Sequence, residues 1–166
     1  MNSIQMDSDP IAVLMQEHHR AAKQLSLLEQ AVISINVDGF TRHAFECIAE
    51  AIRFFEGEFR QHDKKEEQFL FPLLEKHQPG ITREYRNEHR ELWSAFNHLL
   101  SCVNDVEDGR LRGSSRQELV ETATRIVHLL RAHIANENTI LFVKAKKLFS
   151  TEEYKEFRDN VASVTA

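Results

Sequence analysis

Five glycines and three prolines are the only strong chain breakers in 166 positions. Little of the chain can be loop, and long helices are favoured over many short strands. Asp9-Pro10 supplies an N-cap followed by proline at the first helical position. Ile11, Leu14, Met15, His18, Ala22, Leu25, Leu28 and Val32 then follow one helical face. Asn36 to Gly39 interrupts this run. A second helix from about Thr41 to His77 carries Ile48, Ile52, Phe55, Phe59, His62, Glu66, Phe69 and Leu73 on its inner stripe. Pro72 is expected to kink its last turns. Gln78-Pro79-Gly80 is a stop, and a third helix from near Thr82 turns Tyr85, His89, Leu92, Phe96, Leu99 and Val103 inward. Asp108 to Ser114 reads as a loop and Ser115-Arg116-Gln117-Glu118 as a capping box. The fourth helix that it opens carries Leu119, Thr122, Ile126, Leu130, His133, Glu137, Ile140 and Leu141. A short fifth helix over about 151–160, capped by Ser150 or Thr151, is expected to pack across one end. Four long helices with short connections predict an all-α, up-down-up-down four-helix bundle over about 10–148, within a single domain spanning 1–166.

Hydrophobic residues at 42% and charged ones at 28% are an ordinary soluble balance. The net charge of -5, with basic and acidic residues interspersed and no basic block, argues against a nucleic-acid partner. No apolar stretch is long enough to span a membrane and no leader is visible, so a soluble cytoplasmic protein is expected. The sequence says nothing of oligomeric state. Cys47 and Cys102 lie far apart, fit no metal or redox spacing, and read as small buried hydrophobes. Nine histidines is a high count, and their placement is informative.

His62-x-x-x-Glu66 and His133-x-x-x-Glu137 are two copies of one pattern, and the halves of the chain repeat around them. His18 and His89, His62 and His133, and Glu66 and Glu137 are each offset by 71 residues. Glu17 maps onto Glu88, Arg60 onto Arg131, and Leu70-Phe71 onto Leu141-Phe142 at the same offset. The spacing also sets heights. His18 and His62 are equidistant from a turn beside Gly39, and His89 and His133 from one inside 108–114. At 1.5 Å per residue each pair lies roughly 30 Å from its turn. The His62–His89 midpoint falls within a few residues of Gln78-Pro79-Gly80, so all four histidines share one layer. Glu66 and Glu137 stack on the same faces, about one turn away.

Two carboxylates buried there without partners would each cost several kcal/mol, or shift their pKa upward to neutralise. One reading is a core network in which the imidazoles hydrogen-bond the glutamates. The other is divalent metal: imidazole nitrogen with carboxylate oxygen suits iron, and less specifically manganese or zinc. The missing thiolate pairs argue against structural zinc. The set allows two histidines per ion with both glutamates bridging, and leaves coordination positions for a small exogenous oxygen ligand.

Leu14-x-x-Glu17-His18, His62-x-x-x-Glu66 with Leu70-Phe71-Pro72, Asn87-Glu88-His89, and His133-x-x-x-Glu137 with Leu141-Phe142 together resemble the hemerythrin-like family of His-His-Glu cation-binding domains. That resemblance implies a four-helix bundle around two non-haem irons, oxo- or hydroxo-bridged, with His18, His62, Glu66, His89, His133 and Glu137 as ligands and other divalent metals as substitutes. Oxygen-carrying members resemble this chain except for a histidine one turn after His89 and an aspartate five residues after His133. Those places hold Trp93 and Asn138. The ligand set looks more like that of di-iron proteins proposed to repair iron–sulfur clusters, which usually carry a cysteine-bearing N-terminal extension. The implied partner is oxygen, nitric oxide or peroxide, in sensing, stress response or iron handling; reversible oxygen carriage and cluster repair are the alternatives. A ligand-binding metalloprotein is expected rather than a typical enzyme.

His19 points about 100° away from His18 and reads as surface or rim. His43, His77, His98 and His128 share no layer with the six. Glu17 and Glu88 are candidates to orient the neighbouring imidazoles, with a solvated face as the alternative. Tyr85, one turn before His89, is a candidate to hydrogen-bond a ligand at the centre, with core packing as the alternative.

Overall fold

The computed structural model describes residues 8–107 and 113–165. Helix α1 is Pro10–Asp38; the Asp9 carboxylate caps it by accepting from the Ile11 N–H at 3.1 Å. Gly39 ends it with φ 82°, a left-handed conformation suited to glycine. Thr41 then caps α2 through the Ala44 N–H at 3.1 Å. Helix α2 runs over 42–77, α-helical at Arg42–Phe54, Arg60–Lys65 and Phe71–His77, with π turns at Phe55–Phe59 and Glu66–Leu70. Helix α3 is Arg83–Glu107. Helix α4 runs over 113–148, with a π turn at Glu137–Leu141 between Gly113–Asn136 and Phe142–Leu148. Helix α5 is Thr151–Thr165. Residues 108–112 of the expected loop lie outside the described residues, and α4 begins two residues before the capping box foreseen at Ser115.

The architecture is the expected all-α bundle with a short C-terminal helix, and no strand occurs among the described residues. Helix α1 packs on α2 and α4, and α3 packs on α4. Phe55 of α2 meets Phe96 of α3 at 4.7 Å between ring centres, closing the four-sided core. Ser150 caps α5 in a reciprocal box: its Oγ accepts from the Glu153 N–H at 3.2 Å, and Glu153 accepts from the Ser150 N–H at 3.0 Å. Phe157 and Val161 of α5 are buried against Ile11, Leu14, Leu74 and Phe142, sealing one end of the bundle.

The helices deviate from the expected faces in an orderly way. In α1 the buried positions include Ile11, Leu14, His18, Ala21, Leu25, Leu28, Val32 and Ile35, the 3.5-residue seam of a left-handed bundle, with Pro10, Glu17 and Ala31 beside it. Met15 is 41% exposed and Ala22 is also outside. In α2 the seam moves past Glu66 to Leu70, Phe71 and Leu74, leaving Phe69 and Leu73 half-buried. In α4 Ile140 is 47% exposed while Leu141, Phe142 and Ala145 are inside. Both shifts have one cause. A π turn inserts one residue into the helix and advances the inner face by one position. Pro72, expected to kink α2, sits in the first turn after the π segment, and the helix continues through it to His77. There the Phe71 N–H reaches back five residues to Glu66 O, so the helix ladder does not need the N–H that proline lacks.

Candidate metal centre

One polar layer separates two apolar clusters. Ala21, Phe59, Leu92 and Ile134 belong to the cluster on one side, and Leu14, Leu70, Phe71, Leu141 and Phe142 to that on the other. Between them His18, His62, Glu66, His89, His133 and Glu137 are all buried, Glu66 and Glu137 completely. The equal-height expectation from turn spacing thus brings all six together.

All four Nε2 atoms face the two glutamates. His62 Nε2 lies 2.9 Å and His18 Nε2 3.8 Å from Glu66 Oε1, and His89 Nε2 lies 3.4 Å from Glu66 Oε2. His18 Nε2 lies 3.1 Å from Glu137 Oε2, and His133 Nε2 3.1 Å from Glu137 Oε1. Two overlapping donor groups result: His18, His62, Glu66 and Glu137, then Glu66, His89, His133 and Glu137, each with its donor atoms within 4.8 Å of one another. Both glutamates belong to both groups. The facing Nε2 atoms of His89 and His133 are 3.1 Å apart.

The four Nδ1 atoms face outward, and each has an acceptor. His62 Nδ1 pairs with Glu17 at 2.7 Å and His133 Nδ1 with Glu88 at 2.5 Å. His89 Nδ1 pairs with Glu67 at 2.8 Å and His18 Nδ1 with Asn138 Oδ1 at 2.7 Å. These acceptors obey the 71-residue repeat, Glu17 with Glu88 and Glu67 with Asn138. Such outer acceptors fix each imidazole's tautomer and aim its other nitrogen. Glu17 and Glu88 therefore do orient histidines, but across helices rather than on their immediate neighbours, and Glu17 is buried rather than solvated. Phe142, Phe59 and Phe71 stack on His18, His62 and His89 with ring centres 5.3, 4.9 and 5.6 Å apart. Tyr85 presents its ring to His133 at 6.0 Å.

The charges of this layer are mutually dependent. Burial disfavours the His62 cation, but the Glu66 and Glu17 carboxylates outweigh burial and push its pKa up to about 10. His89 and His133 are raised in the same way, against burial, by Glu66 and Glu67 and by Glu137 and Glu88. Burial would raise Glu66, yet His62 and His89 hold its carboxyl well below the usual carboxylate range. The inner pairs are charge contacts by distance, at 2.9 to 3.8 Å, but they are poorly aligned: His18 Nε2, His62 Nε2 and all four oxygens of Glu66 and Glu137 lack a hydrogen-bond partner of good geometry. Buried native polar atoms normally have one, and a pair of divalent cations at the shared glutamates fits this donor set of imidazoles and carboxylates.

Three participants escaped the sequence reading. Lys65, 4% exposed, pairs with the far oxygen of Glu17. Glu67 was legible only as the repeat partner of Asn138. Asp63, 4% exposed, accepts from the Trp93 indole N–H at 2.8 Å, and burial pushes its carboxyl up to about 6 against the pull of His89. His19, His43, His77, His98 and His128 are all exposed and outside the layer. Cys102 is buried as expected, but Cys47 is half-buried. In space, although not in sequence, Cys102 also joins a donor group with His98 and Glu118 on the outside of α3 and α4.

An antiparallel helical bundle with a buried layer of imidazoles and shared carboxylates is a metal-binding helical domain. A family model described as hemerythrin HHE cation binding domain matches residues 9–145, and the chain belongs to that family. It is also 22% identical over 157 residues to the zinc finger protein BRUTUS of Arabidopsis thaliana. That match covers 92% of this chain but only 12% of the relative. Among the described residues, no helix is long and apolar enough to cross a membrane.

Proposed function

We propose that the chain is a non-haem di-iron protein that binds or reacts with a small oxidant, namely oxygen, nitric oxide or peroxide. His18 and His62 hold one ion, His89 and His133 the other, and Glu66 and Glu137 bridge both. The observation that carries this reading is the division of labour within each imidazole. Every Nδ1 is committed to an outer acceptor, while the Nε2 atoms of His18 and His62 and the inner carboxylate oxygens converge in a buried layer without well-aligned hydrogen bonds. A core polar network would have aligned those atoms into hydrogen bonds with one another. A bound iron pair would supply redox capacity and Lewis acidity to a small ligand. The protein's part is to align the imidazoles, exclude water with the stacked phenylalanines, and leave one side of the layer accessible. That side is a cleft of about 500 Å³ reaching His89 between Arg60 and Trp93. The domain reading of 1–166 as one unit is part of this proposal.

Anaerobic reconstitution with ferrous iron, followed by elemental analysis, tests it. Two iron per chain with magnetic coupling is the expected result. A plateau at one iron, or uncoupled ions, refutes the dinuclear centre.

A further inference from the structure

The repeat that builds the centre is broken at Asp63, a buried position beside it. Asp63 follows His62, and its counterpart 71 residues on is Ile134. One oxygen of Asp63 is held by the Trp93 indole N–H at 2.8 Å. The other, Oδ1, has no hydrogen-bond partner and lies 3.7 Å from His89 Nε2. Arg60 does not neutralise it, since it donates to Glu56 at 3.3 Å and stacks over Trp93 at 4.1 Å; the charged group that Oδ1 faces is His89. A buried carboxylate oxygen with no partner is a standing cost in free energy. Ile134 shows that the fold accepts an apolar side chain at the equivalent position of α4.

We propose that Asp63 is a third carboxylate donor, serving only the ion held by His89 and His133, so that the two ions are chemically inequivalent. The inference rests on the dinuclear reading above. Two donors each about 2.1 Å from one ion stand about 3.0 Å apart when adjacent and about 4.2 Å when opposite. The Asp63–His89 separation of 3.7 Å lies between these limits; Asp63 stands just outside the group formed by Glu66, His89, His133 and Glu137, so its carboxylate turns inward to join them when the ion binds. Trp93 fixes the second oxygen and so directs Oδ1 toward the layer. The 500 Å³ cleft is bounded by Asp63, His89 and Trp93 and by none of the other five inner ligands. The ion that Asp63 serves therefore lies beside this cleft, by which a small ligand can arrive.

The test uses the full chain, wild type and Asp63→Ala, loaded anaerobically with ⁵⁷Fe(II). Wild type should bind two irons and give two Mössbauer doublets of equal area with different splittings. Asp63→Ala should weaken one of the two ions by at least about tenfold, a typical loss for altered coordination surroundings, and shift one doublet only. If Asp63→Ala does not fold, Asp63→Asn gives the same reading, since a neutral amide is the weaker donor. Unchanged affinities and spectra in a variant that still binds two irons overturn the role of Asp63 alone. Fewer than two irons in wild type overturns both this inference and the dinuclear reading.

Discussion

Glu17 touches two buried cations at once, and that makes its removal informative. It accepts from His62 Nδ1 at 2.7 Å and from Lys65, which is 4% exposed. Glu17→Ala strands the Lys65 ammonium and should cost about 3–5 kcal/mol, the range for breaking a buried ion pair from one side. Urea unfolding of the metal-free protein measures this. Metal titration of the same variant should show one ion weakened about 10–100-fold, as for lost outer acceptors generally. Glu88→Ala should behave more mildly, because its side chain is 31% exposed and no buried lysine depends on it. The two glutamates shared by both donor groups differ in kind from Glu17 and Glu88. Each lies within reach of both histidine pairs, so Glu66→Ala or Glu137→Ala should lower metal content by more than one equivalent or leave two uncoupled ions. His19→Ala should leave content and near-ultraviolet absorption unchanged. If it strips metal while His18→Ala does not, the assigned face of α1 is wrong.

The unit that matters at the next scale is the π turn. Glu66–Leu70 and Glu137–Leu141 begin at the two shared glutamates and are themselves related by the repeat. Each is in effect a one-residue insertion, so removing one residue from it should restore an ordinary α turn and leave the downstream faces in place. Deleting the exposed Thr139 should give a folded, cooperatively melting protein, with Leu141, Phe142 and Ala145 still inside. Deleting the exposed Arg125, in the regular part of α4, rotates everything after it by about 100°. That takes His133 and Glu137 off the inner face and should abolish metal uptake. Equal damage from both deletions, by melting and metal content, would mean that the π turn is not a separable insertion. These turns were invisible in the sequence. Phe69 and Ile140 fit the α period as well as Leu70 and Leu141 do, and local periodicity cannot report an extra residue that packing has absorbed.

For the molecule as a whole, protons and metal compete for one layer. Without metal, His62, His89 and His133 have raised pKa values, His62 reaching about 10. Their stabilisation is complete below the unfolded value of about 6.5 and is lost as pH rises toward 10. Glu66 is depressed, so its contribution is present above about 4.5 and is lost as pH falls. The metal-free bundle should therefore be most stable between roughly pH 4.5 and 6.5 and should weaken in alkali. A metal ion needs the same imidazoles deprotonated, so binding near neutrality should release protons and tighten as pH rises. Calorimetric titration at pH 7 in two buffers of different ionisation enthalpy should show that release. The melting midpoint gained on loading should be larger at pH 8.5 than at pH 6. Equal midpoints with and without metal would show that the layer is satisfied by itself.

Sequence alone determined the number and order of the helices, their limits to within a few residues, and which six residues lie at one height. These follow from local geometry: caps and turns stop helices, and equal distances from a turn give equal heights in an antiparallel pair. It also carried the 71-residue repeat. Only the tertiary structure decided which acceptor serves which imidazole. Glu17 faces His62 on α2 rather than His18 beside it, because helix rotation and inter-helix approach set partners across a gap that sequence spacing does not encode. The same holds for Met15 lying outside, Ile140 turning to solvent, and Asp63 turning in beneath Trp93. Each was settled by packing between helices, where neighbours distant in the chain compete for one buried position.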